Sequence, residues 1–86
     1  MDKVRLITDM LEIEGIPHTV ELSKDSYTED HLIKFPDNHY IQAHPEGVYF
    51  SLGKEEYEEG KLVSAKEIYN THSVGKLVRK VRRLLG

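Results

Sequence analysis

There is no cysteine and no tryptophan among these 86 residues. Without thiols neither a disulfide framework nor a thiolate metal centre can form, and a chain that manages without them suits a reducing cytoplasm. No apolar run approaches the ~20 residues needed to cross a bilayer. The opening Met1-Asp2-Lys3-Val4-Arg5 enters an amphipathic pattern directly, with none of the apolar core of a secretory leader. The expectation is a cytoplasmic protein with no membrane partner. Also absent are a glycine-rich phosphate loop, an HExxH pair, a nucleophile elbow and any Ser/His/Asp constellation. The chain is therefore expected not to be an enzyme and to carry no cofactor.

What is present is charge, 31% of residues, and its distribution is uneven. Residues 1–60 hold 5 Lys/Arg against 14 Asp/Glu, whereas residues 61–86 hold 7 Lys/Arg against Glu67 alone. Such a split provides a basic surface for an anionic partner, or draws two halves of one fold together, or two copies into a homodimer.

Hydrophobic spacing gives the elements. Val4, Ile7 and Leu11 recur at helical intervals, with Leu6, Met10 and Ile13 widening the face, so residues 2–14 are expected to be helical with Asp2 as N-cap. Gly15 can take the left-handed C′ conformation, Ile16 can pack back onto the helix, and Pro17 forbids continuation. His18–Leu22 alternates like a strand, and residues 23–26 read as a loop. His31–Phe35, His39–His44 and Val48–Leu52 follow as strands, separated by Pro36-Asp37-Asn38 and Pro45-Glu46-Gly47 turns. Gly53 is expected to end the sheet and Lys54–Gly60 to form a solvated acidic connector. Ser64-Ala65-Lys66-Glu67 has capping-box spacing, with Val63 and Ile68 placed as a hydrophobic staple, so a helix is expected from Ala65. The stripe Val74, Leu77, Val78, Val81, Leu84 and Leu85 leaves Ile68 on the far side of a continuous helix. That argues for a break near residues 70–73, with Ser73 capping the last helix.

The fold class expected is α+β, as one domain over residues 1–86. It comprises an N-terminal helix, a three- to four-stranded antiparallel meander and a broken C-terminal helix, both helices packing on one sheet face. That face should carry Val20, Leu22, Ile33, Phe35, Ile41, Ala43, Val48, Phe50 and Leu52. The other should show Thr19, Glu21, Lys34, Tyr40, Gln42, His44, Tyr49 and Ser51.

Two surfaces are candidates for binding. The exposed side of the last helix carries Lys76, Arg79, Lys80, Arg82 and Arg83 with no acid between them. Such a row can meet an acidic protein surface or a run of phosphates, although Arg82 and Arg83 also complement the helix dipole. The open sheet face offers Lys34, Tyr40, Gln42 and Tyr49, whose rings can anchor a protein interface or stack bases. The five histidines lack ligand spacing. His39 and His44 point to opposite faces of a strand, leaving His31 with His44 as the one cross-strand pair, and no metal site is expected. The expected function is a small regulatory module acting through a protein–protein interface, with nucleic-acid binding as the alternative.

The order α-β-β-β-α ending on a basic helix is similar to that of the double-stranded-RNA-binding domain. That family's lysine-rich motif would fall at Ser64-Ala65-Lys66-Glu67, where Lys66 is the one basic residue. Leu11-Glu12-Ile13-Glu14-Gly15-Ile16-Pro17 resembles the helix-to-strand junction of thioredoxin-like proteins, without their cysteines or a preceding strand. The first likeness is one of element order and the second of a common junction.

Overall fold

The computed structural model describes residues 2–22 and 29–85. Asp2 caps helix α1 (Lys3–Ile13), its carboxylate accepting from the Arg5 N–H at 3.2 Å. The helix stops as its sequence requires. Gly15 takes φ +71° and its N–H reaches the Glu12 carbonyl, while the Ile16 N–H reaches that of Leu11. This is the Schellman pair of bonds, and Ile16 packs against the core beside it.

Five strands follow: β1 (Thr19–Leu22), β2 (His31–Lys34), β3 (His39–Ala43), β4 (Phe50–Glu58) and β5 (Lys61–Thr71), before helix α2 (Val74–Leu85). They form one antiparallel sheet in the order β1-β2-β3-β4-β5, so β1 and β5 are its edges. The loop expected at residues 23–26 lies outside the described residues. In the β2–β3 turn Asn38 adopts φ +73°, and the Asp37 carboxylate accepts from the backbone and ring of His39. Burial works against that carboxylate, but the two His39 bonds outweigh it and hold Asp37 below the ordinary range.

The sheet thus has five strands rather than three or four, and the excess comes from residues 53–71. Gly53 does not end the sheet but lies inside β4, and the acidic stretch continues that strand to Glu58. Glu59 and Gly60, at φ +52° and +79°, make a two-residue turn with both centres left-handed, the geometry that matches strand twist. Ser64-Ala65-Lys66-Glu67 is correspondingly not a capping box but the middle of β5, with Ser64 opposite Glu56 and Lys66 opposite Lys54. With five strands between the helices, the element order departs from that of the double-stranded-RNA-binding domain. The expected break at residues 70–73 is the junction of β5 with α2. There Ser73 caps the helix, its hydroxyl accepting from the Lys76 N–H at 3.2 Å.

One buried cluster joins Val4, Ile7 and Leu11 of α1 and Leu77, Val78 and Val81 of α2 to Ile33, Phe35, Ile41, Ala43, Phe50 and Leu52. Ile33, Ile41 and Leu52 are in register across three strands, so they share a face. Val20, Leu22 and Val48, expected in the core, are exposed. Val20 and Leu22 stand on the edge strand β1, and Val48 precedes β4. Leu84, in the last turn of α2, is 39% exposed and falls outside the cluster.

Candidate functional site

On the sheet face opposite Ile33, Ile41 and Leu52, the candidate side chains are each engaged with a neighbouring residue. Thr19, Lys34, Tyr40, Gly53 and Glu67 form one row across the five strands. Lys34 Nζ lies 3.1 Å from a Glu21 carboxylate oxygen and 3.6 Å from one of Glu55. Its ammonium is held above the usual lysine value by the bond to Glu21, with the charge on Glu55 assisting against partial burial. Glu55 is itself buried and accepts from the Tyr57 hydroxyl at 3.2 Å. The Tyr40 ring lies over Gly53 so closely that a Cβ there would come within 2.4 Å of Cζ. Burial, then the charges on Glu55 and Glu67, pushes the Tyr40 hydroxyl above its usual value. Gln42 donates to Asp30 at 2.9 Å.

Tyr49 stands outside β4 altogether. Its ring meets the His72 ring edge-on at 5.1 Å between centroids, and the His72 Nδ1 is 2.9 Å from the Val48 carbonyl. His31 and His44 are likewise committed locally, to the Glu29 carbonyl and the Glu46 N–H. Among the described residues no three His, Asp or Glu side chains converge as a metal site.

Helix α2 differs. Its buried residues Leu77, Val78 and Val81 fix its rotation, which splits the five cations into two sets. Arg82 turns toward α1 and pairs with Glu14 at 3.4 Å. Lys76, Arg79, Lys80 and Arg83, at helical spacing i, i+3, i+4 and i+7, line a shallow cavity of about 230 Å³ together with Tyr69 of β5. The Lys80 ammonium lies over the Tyr69 ring, 5.5 Å from its centroid, a cation–π arrangement. Among the described residues none of the four cations has an ion-pair partner and no acid lines the cavity. This concave site, lined by charges of positive sign, has the chemistry to receive carboxylates or phosphates.

Tyr69 is not legible as a site residue in the sequence, because the spacing from Ser64 to Glu67 predicts a helix from Ala65, whereas Tyr69 lies on β5 opposite Leu52. A usable signal was present in Gly60, a turn residue between two β-capable runs, which marks a hairpin. No known protein family matches the chain, nor does any curated protein or solved structure.

Proposed function

We propose that this chain is a small non-enzymatic binding module that acts through a protein–protein interface. Its contact surface is the flank of α2 bearing Lys76, Arg79, Lys80 and Arg83, and its partner presents an acidic surface. In this reading both helices lie on the same sheet face. The shortest dimension of 19 Å supports that arrangement, since a sheet and one helix layer stand about 10 Å apart. The observation that carries the reading is the gathering around Tyr69 of four cations that form no ion pair with a described residue, in a chain whose net charge is −3.

Nucleic-acid binding would use the same cations. The protein reading ranks above it because the tyrosine rings of the two candidate surfaces already have close neighbours: Lys80 lies over Tyr69, Tyr40 over Gly53, and Tyr49 meets His72. Residues 1–60, with nine more acids than bases, would also repel a polyanion from every other side.

Fluorescence anisotropy tests the ranking, using labelled acidic peptides alongside single-stranded and duplex oligonucleotides at about 100 mM salt, where the screening length is about 10 Å. Saturable peptide binding that is lost in Lys80→Glu/Arg83→Glu supports the protein reading. Sub-micromolar oligonucleotide binding, lost in the same variant and falling by orders of magnitude between about 50 and 200 mM salt, replaces it with the nucleic-acid reading.

A further inference from the structure

Strand β5 pairs with β4 on one side and with no described strand on the other. Within a strand, successive residues direct their N–H and C=O groups to opposite sides. The Glu55 N–H bonds to Asn38, so Glu55 faces β3 while its neighbours Lys54 and Glu56 face β5. Their partners Lys66 and Ser64 therefore face back into the sheet. Ala65 and Glu67 are left with their backbone groups directed off the edge.

The basic flank of α2 packs over the same strand at Tyr69. Arg82 reaches α1 on one side of the helix, whereas Lys80 covers Tyr69 of β5 on the other. The four cations line one cavity with Tyr69, so the basic flank meets β5 at a residue two positions along the edge strand from Glu67. Glu67, the one acid in β5, is paired with Gly53 and raises the Tyr40 hydroxyl, which places it on the far face of the sheet.

We infer that the acidic partner binds as a short extended segment added to the edge of β5, its backbone pairing with Ala65 and Glu67 and its carboxylates reaching α2. The proposal rests on the basic-flank reading and specifies the partner's conformation. Strand addition joins main-chain bonds, which supply affinity, to side-chain selection, which supplies specificity. Here selection comes from Lys80 and its neighbours, which favour Glu or Asp on the helix side of the added strand.

The length of the site argues for a peptide over a second copy. The β4–β5 register shifts between Leu52 and Gly53 and again between Glu56 and Tyr57, leaving Ser64–Glu67 as the regular run. Bulges and edge lysines such as Lys66 discourage long sheet-to-sheet pairing while leaving a short stretch accessible.

The probe is a fluorescein-labelled peptide of about ten residues alternating Glu with Val or Thr, a strand-forming pattern with one acidic face. We expect saturable binding to the wild-type protein, weakened at least about tenfold by Lys80→Glu/Arg83→Glu. Ala65→Pro, which removes an N–H directed away from β4, should abolish it without disturbing the hairpin. On the wild-type protein, peptides N-methylated at alternate residues should divide into one register that binds and one that does not. If both N-methylated registers and Ala65→Pro bind like the unmodified pair while the charge reversal still abolishes binding, strand addition is wrong and the basic-flank reading stands. If the charge reversal has no effect, that reading falls as well. A concentration-dependent dimer in sedimentation that Ala65→Pro converts to monomer would assign the edge to a second copy and overturn the peptide as its occupant.

Discussion

Tyr40 and Gly53 stand opposite each other in the β3–β4 ladder, and the ring fills the space that a side chain at Gly53 would need. A glycine in a strand interior weakens it, and an aromatic ring laid across the gap restores cover to the backbone. Gly53→Ala should therefore force the ring outward and cost about 1–3 kcal/mol, as overpacking does. In a Tyr40→Ser background the same substitution should cost much less, because the two effects are coupled. Urea unfolding of the four proteins of this cycle measures the difference. Additive costs would mean that the ring does not rest on Gly53. Beside this pair, Lys34 and Tyr40 both have folded-state values above their ordinary 10.5 and 10.0. Groups raised by folding contribute stability that is present below their unfolded values and lost as pH climbs through the folded ones. The urea midpoint should accordingly fall above about pH 10. It should fall less steeply in Tyr40→Phe, which has no hydroxyl to ionise, and in Glu21→Gln, which removes the main cause of the lysine shift.

At the scale of elements, what could be read from the sequence divides according to where the determining interactions lie. Helix α1 was legible to within a residue at each end, since Asp2, Gly15 and Ile16 act through bonds to their own helix. Ser73 was legible for the same reason. Residues 61–71 were not, because Ser64, Glu67, Val63 and Ile68 satisfy a local capping pattern that pairing with β4 overrides. The cationic row was visible at once from the spacing of Lys76, Arg79, Lys80 and Arg83. Its partition from Arg82, and its neighbour Tyr69, depended on how α2 packs. The two serines give a direct contrast. Ser73→Ala should cost about 0.5–2 kcal/mol through loss of a cap. Ser64→Ala, on a largely exposed strand, should stay within about 0.5 kcal/mol. Thermal unfolding followed by circular dichroism distinguishes them, and a large Ser64 effect would restore the helical reading of that segment.

Across the whole molecule, cohesion is concentrated at one end of the β4–β5 hairpin. Phe50 and Leu52 lie in the buried cluster with both helices, and Leu77 and Val81 press on it from α2. Farther out, Tyr57, Leu62 and Val63 are exposed, as are Glu56, Glu58, Glu59 and Lys61. The outer half of the hairpin is thus held by its ladder and its turn, with little apolar burial to support it. Regions with few buried contacts open locally at a free energy well below that of global unfolding. In native-state hydrogen exchange, amides of Ile33, Ile41 and Leu52 should exchange only through global opening and slow in step with overall stability. Ladder amides near Glu58 and Leu62 should exchange faster, by a local opening largely insensitive to low denaturant. Leu77→Ala, which hollows the core and should cost about 2–5 kcal/mol, would bring the first group's rates up toward the second's and leave the second nearly unchanged. Leu84→Ala, at a half-exposed site, should move neither group far. If the outer amides instead slow and quicken together with Ile41, the hairpin is one cooperative unit, and a short partner strand at its edge would have no locally soft segment to organise.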